Sequence, residues 1–120
     1  MNRRILVIDD EEPIRNLVSL FLRKNGFVVQ TAPTGNAASE LLDKGHFDLI
    51  ILDGDLAGES GLDVLRALRT KGAQMPIVMF TGSLEAELRQ KALSAGANAF
   101  VKKTEPLNAL FVEICRHISS

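Results

Sequence analysis

Short apolar runs, each closed off by polar or turn-forming residues, constrain the fold of this chain more than any other feature. Ile5–Ile8, Leu49–Leu52, Ile77–Phe80 and Ala99–Val101 are continuous rather than alternating, and a more mixed run covers Phe27–Thr31. Runs this short, without polar alternation, suit strands covered on both faces, as in a parallel sheet. Between them apolar residues recur at helical spacing: Ile14, Leu17, Val18 and Phe21, then Leu62, Leu65 and Leu68, and finally Leu107, Leu110, Phe111, Ile114 and Ile118. Gly26, Gly45, Gly72 and Gly96 each stand between a helical segment and the next run, where a left-handed residue is wanted. Pro13 and Pro106 fall near first-turn positions, where the missing N–H does no harm. The pattern reads as five βα units, hence right-handed crossovers and an α/β sandwich with helices on both faces of the sheet. Residues 1–120 are expected to form one domain, with no repeat, low-complexity segment or linker.

Composition sets limits on what such a domain can do. With 120 residues, 46% hydrophobic and 24% charged, the chain can bury one ordinary core. A formal net charge of −1, both signs interspersed, gives no basic face for nucleic acid or an anionic membrane. Only Ile5–Ile8 separate the opening "MNRR" from Asp9, too short a run for a signal peptide or a membrane span. The single cysteine, Cys115, has no partner for an internal disulfide, so a reducing cytoplasm is the expected compartment. Cys115 stands beside the apolar stripe of the last helix and reads as packing. His46 and His117 read as surface or loop residues.

The stretch "ILDGDLAGESG" (residues 51–61) ends a buried run in two aspartates. A lone aspartate there would be read as a helix cap, and the other strand ends decide against that. The first strand ends in Asp9 and Asp10, the third in Asp53, the fourth in Thr81, and the fifth in Lys102 and Lys103. In open α/β sheets ligands bind outside these carboxyl ends, so residues far apart in sequence converge there. Three carboxylates on one edge repel, and without compensation at least one has its pKa raised well above the usual ~3.9. A positive group must therefore visit the site. Neither histidine falls on this edge, which disfavours zinc; a hard, oxygen-seeking cation such as Mg²⁺ fits better. A lysine and a hydroxyl are what an incoming phosphoryl group needs as partners. An aspartate can itself be the nucleophile and form an aspartyl-phosphate. Gly54, Gly58 and Gly61 do not make a phosphate-binding glycine signature.

The constellation resembles the receiver domains of two-component response regulators, over the whole chain. "ILVIDDEEPIR" is similar to the family's opening strand and acidic pair, and "DLIILDGDLAGESGLDVL" to its phosphoacceptor strand and loop. "PIVMFTG" matches its threonine strand and "GANAFVKKT" its lysine strand. Each motif alone is weak, but all four in order at family-like spacing are specific. The resemblance implies a flavodoxin-like, doubly wound, five-stranded parallel sheet of order 2-1-3-4-5 with five helices. It implies that Asp53 is the phosphoacceptor, Asp10 a direct Mg²⁺ (or Mn²⁺) ligand, Asp9 a ligand through water or an orienting carboxylate, and the backbone carbonyl of Asp55 a further ligand. Thr81 would hydrogen-bond the phosphoryl group and Lys103, rather than Lys102, would pair with it. Thr81 and Phe100 would form the switch, and the face of the fourth helix, fifth strand and fifth helix would engage a downstream effector or output domain. The phosphodonor would be a histidine kinase or a histidine phosphotransfer protein. Such a domain receives and slowly loses a phosphoryl group on itself and is not a turnover enzyme.

The chain departs from that pattern at three places. Thr104 follows Lys103 where the family usually has a proline after a cis bond; because a cis bond to another residue costs roughly 2.5–4 kcal/mol, the chain here either runs trans or stores strain. Ala57 replaces a common loop proline. Asp55 adds a carboxylate that should favour Mg²⁺, repel a phosphodonor and help orient a hydrolytic water. Two other readings stay open: a degenerate receiver that only binds a protein partner, and a haloacid-dehalogenase-like phosphatase, whose nucleophile motif "DGD" also resembles.

Overall fold

A computed structural model describes residues 2–83 and 85–118. Its elements alternate as the apolar runs require: β1 (Arg4–Ile8), α1 (Glu12–Lys24), β2 (Val28–Ala32), α2 (Gly35–Lys44), β3 (Leu49–Leu52), β4 (Asp55–Leu56), β5 (Glu59–Ser60), α3 (Gly61–Thr70), β6 (Ile77–Thr81), α4 (Leu88–Ser94), β7 (Ala99–Lys102) and α5 (Leu107–His117). Five strands pair in parallel in the order β2-β1-β3-β6-β7. Counting only these strands, that is the expected order 2-1-3-4-5, and the fold is flavodoxin-like. The short antiparallel hairpin β4-β5 stands apart from the main sheet, with Asp55 opposite Ser60.

Strand alternation sends neighbouring residues to two separate cores. Leu6, Ile8, Ile50, Leu52, Ile77 and Met79 face Ala38, Leu65, Leu68 and Ala92 from α2, α3 and α4. Ile5, Val7, Leu49, Ile51, Val78 and Phe80 face Val18, Leu22, Leu110 and Ile114 from α1 and α5. Burying both faces explains why these strands lack polar positions, each Leu or Ile contributing about 1.5–3 kcal/mol. Thr34 caps α2 through Oγ1, which accepts from the Ala37 amide, and Ser60 Oγ accepts from Leu62 at the start of α3.

At the amino-terminal edge of the sheet, Arg69 ties three segments together. Its guanidinium donates to the carbonyls of Ala73, Met75 and Gly96 and to Oδ1 of Asn98. The far edge is thereby closed by fixed hydrogen bonds, and the open edge is the carboxyl one.

Two expectations are corrected. Gly26, Gly72 and Gly96 are left-handed, with φ of +91°, +98° and +111°, but Gly45 is extended at φ −162°. The chain needs no reversal after α2, because the Arg4 side chain takes the His46 carbonyl and draws the segment straight into β3. Cys115 is exposed rather than packed. It follows Ile114 by one residue, about 100° further round the helix, which carries it off the buried stripe. His46 does lie on an exposed loop, beside Asp48, and His117 ends α5 next to Glu113. No helix of the described residues is long and apolar enough to cross a membrane.

Candidate functional site

The parallel register carries three strand ends to one place. Asp9 follows β1, Asp53 follows β3, and Thr81 ends β6. The Asp9 amide donates to Ala32 and the Asp53 amide to Ile8, so both backbones continue the sheet for one residue beyond its strands. Asp9 and Asp53 are almost wholly buried and Asp10 partly so. One carboxylate oxygen from each of the three lies within 4.8 Å of the others.

Lys103 supplies the compensating charge. Its Nζ stands 2.8 Å from Asp9 Oδ2, 3.2 Å from Asp53 Oδ2 and 3.8 Å from Glu11 Oε1, with its side chain 14% exposed. The Lys103 amide donates to the Thr81 carbonyl, which turns the chain so that this lysine enters the site while Lys102 stays exposed. The peptide after Lys103 is trans, since the described residues contain no cis bond. Burial opposes the Lys103 charge, but hydrogen bonds and charges from Asp9 and Asp53 outweigh it and raise the ammonium's pKa. Asp53 is pushed up to about 6, first by burial and then by the Asp9 charge, against the opposing pull of Lys103 and the Asp55 amide. A raised carboxylate pKa, as expected from the sequence, is thus found at Asp53, with burial its larger cause and the neighbouring Asp9 charge the second.

The surrounding loops hold these groups in place. Asp9 Oδ1 accepts from the Glu11 amide at 2.9 Å, and the Asp9 carbonyl accepts from Arg15 at 2.7 Å. Asp53 Oδ1 accepts from the Asp55 amide at 3.2 Å, while the Asp55 side chain is exposed. Thr81 is fully buried, its Oγ1 accepting from the Ser83 amide. A Cβ on Gly54 would come within 3.1 Å of that oxygen, which places Thr81 directly against the Asp53 loop. Phe100 sits on β7, half-buried against the α2, α3 and α4 side of the core and away from the carboxylates. Gly61 has no room for a side chain: a Cβ there would collide with the Asp53 carbonyl oxygen.

Chemically, the pocket offers carboxylate oxygens from three residues, one ammonium and one hydroxyl around a buried aspartate. That donor set contains no nitrogen or sulfur ligand and fits a hard divalent cation of the Mg²⁺ class. Glu11, Arg15, Glu59 and Gly61 were not legible as parts of this site. Glu11 is simply next to the acidic pair, Arg15 reads as the polar face of α1, and Glu59 and Gly61 matter through contacts that sequence spacing does not show.

Comparison with known proteins agrees with this geometry. The family model described as the response regulator receiver domain matches residues 5–114. Protein PetR of Rhodobacter capsulatus is 41% identical over 99 residues, 82% of this chain and 41% of its own length. The Vibrio cholerae chemotaxis protein CheY4 superposes with a TM-score of 0.91 at 28% identity, covering 98% of this chain and all of that one. The Thermotoga maritima response regulator TrrA, solved in complex with Mg²⁺-BeF, has a TM-score of 0.86 at 30% identity, covering 97% of this chain and 99% of its own. The chain spans less than half the length of the curated relatives it matches.

Proposed function

The chain belongs to the response regulator receiver domain family of two-component systems, and from that premise we propose that Asp53 accepts a phosphoryl group from a histidine kinase or histidine phosphotransfer protein in a Mg²⁺- or Mn²⁺-dependent reaction. The observation that carries this is the convergence of Asp9, Asp10 and Asp53 with Lys103 at the carboxyl edge of the sheet. An Oδ of Asp53 attacks phosphorus as the bond to the donor's imidazole nitrogen breaks, and that nitrogen keeps the electron pair and takes up a proton. At neutral pH the carboxyl with a pKa of about 6 is mostly ionised and competent to attack.

Asp9, Asp10 and Asp53, with the Asp55 carbonyl, would hold the divalent ion, with Asp9 also serving to orient. Bound there, such an ion neutralises charge on the phosphoryl oxygens. Lys103 already faces Asp53 and would pair with the phosphoryl group, exchanging one anionic partner for another. Thr81 would turn its hydroxyl to donate to the same group, and Phe100 would change its packing as Thr81 moves. The α4, β7 and α5 face would then engage the downstream effector or output domain, through a shift in population rather than a new fold. The domain itself neither binds nucleic acid nor turns over substrate, and it works in the cytoplasm.

The test is intact-mass analysis after incubation with acetyl phosphate, with and without Mg²⁺, beside Asp53→Asn. Gain of one phosphoryl group that needs both the metal and Asp53 is expected. No gain, with Mg²⁺ still bound, would leave the degenerate binding module as the better reading. The phosphatase reading is set aside by family membership, and by the placement of "DGD" after the third strand of the sheet.

A further inference from the structure

The hairpin β4-β5, which carries Asp55, is fastened to a part of the molecule that has no chemistry of its own. Glu59 Oε1 accepts a hydrogen bond of 2.7 Å from the amide of Gly35, the first residue of α2 and 24 positions away. The contact is close on both sides. A Cβ on Gly35 would meet both Glu59 carboxylate oxygens, at 3.2 and 3.3 Å, and Val64 Cγ2 at 3.0 Å. A carboxylate on an N-terminal amide of a helix makes a charge-assisted bond and faces the positive end of the helix dipole. The hairpin therefore has a fixed support at its β5 strand, while its β4 strand runs directly into the Asp53 pocket.

We propose that Glu59 is a positioning residue for the acidic pocket, because its bond to Gly35 fixes the hairpin on which Asp55 is presented to Asp53. The connection is short. Glu59 pairs with Leu56 and Ser60 with Asp55 across the hairpin, and the Asp55 amide donates to Asp53 Oδ1. Other contacts hold the two ends of β4, with Leu56 buried in the core and the Gly54 carbonyl accepting from the Gly61 amide, but the Glu59 bond is the one that ties the hairpin's β5 strand to α2. Without that tie the amide that restrains one Asp53 oxygen loses part of its support, as does the Asp55 carbonyl. The inference rests on the proposed metal-binding function, and it adds α2 to the elements that set the pocket's geometry. By reciprocity, metal bound at the pocket strengthens the Glu59–Gly35 contact.

The experiment is Mg²⁺ titration, followed by amide chemical shifts, of the wild-type chain, Glu59→Ala, Glu59→Gln and Gly35→Ala, each with a urea unfolding curve. Glu59→Ala is expected to weaken Mg²⁺ binding about tenfold, the scale for supports just outside a ligand set. Gly35→Ala, which displaces the carboxylate from the other side, is expected to act in the same direction. Glu59→Gln keeps an acceptor oxygen and should restore most of the affinity. In the wild type, Mg²⁺ should slow hydrogen exchange at the Gly35 amide. Wild-type affinity in Glu59→Ala, whatever its stability, would overturn the inference, as would a Glu59→Gln variant no better than Ala. A wild-type chain that bound no Mg²⁺ would instead sink the metal reading, and this inference with it.

Discussion

Lys103 Nζ lies 3.2 Å from Oδ2 of Asp53, fifty positions away in the chain, and holds the Asp9 carboxylate at 2.8 Å with the same ammonium. One cation thus serves two almost fully buried anions. Replacing it, as in Lys103→Met, leaves both carboxylates facing each other without compensation. We expect a loss of about 3 kcal/mol at pH 7 in urea unfolding, the scale for breaking a buried ion pair from one side. The loss should shrink toward pH 5, where Asp53 takes up a proton, and phosphoryl gain from acetyl phosphate should fall sharply.

The raised pKa of Asp53 has a stability consequence in metal-free protein. Between the ordinary value of 3.8 and about 6 the folded state binds a proton that the unfolded state has released. Stability therefore falls as pH rises through this window, by about 3 kcal/mol in total. Asp53→Asn removes the titrating group. It should unfold at higher urea than wild type at pH 7 and show a flatter profile between pH 4 and 7. An equally steep profile in the variant would assign the slope to another group.

Two glycines near Asp53, Gly58 in the β4-β5 turn and Gly61 at the start of α3, should respond differently to alanine. Gly61→Ala drives a methyl into the Asp53 carbonyl and the Gly54 backbone, neither of which can move without moving Asp53. A cost of about 3 kcal/mol, with loss of phosphoryl gain, is expected. Gly58→Ala meets no neighbouring atom within 4 Å among the described residues, but adopts φ +76°. It should cost about 1 kcal/mol and leave the pocket working.

Ser19 sits buried on α1, its hydroxyl without a hydrogen-bond partner among the described residues. Ser19→Ala removes an unsatisfied group and substitutes a better helix former. A gain of about 1 kcal/mol is expected, read as a higher urea midpoint at an unchanged slope.

The exposed Asp55 side chain adds a negative charge beside the pocket without contacting Asp53 through its carboxylate. Asp55→Asn should accept phosphoryl groups from anionic small donors a few-fold faster, most clearly at low salt, where the repulsion is least screened. Unchanged rates of gain and loss at low ionic strength would remove this role.

Much of this was legible in the chain itself. The apolar runs fixed the strands because a strand covered on both faces has no position at which a polar side chain reaches water. That left the strand ends as the places for Asp9, Asp10, Asp53, Thr81 and the lysine pair. Helical spacing located α1, α3 and α5 for the same reason, although it misjudged Cys115, since a stripe's margin is only one residue wide. The choice of Lys103 over Lys102 came from resemblance to a family, not from the residues' own periodicity, and only the tertiary structure supplies its physical reason: the turn after β7 depends on the Lys103 amide finding the Thr81 carbonyl. Tertiary structure also decided that Gly45 runs extended, that burial together with the Asp9 charge raises the pKa of Asp53, and that Glu59 reaches α2. Each of these is a distance or a burial between segments far apart in sequence. Local propensity constrains the path of one segment, whereas such distances are set only when the sheet order and the packing of two cores bring the segments together.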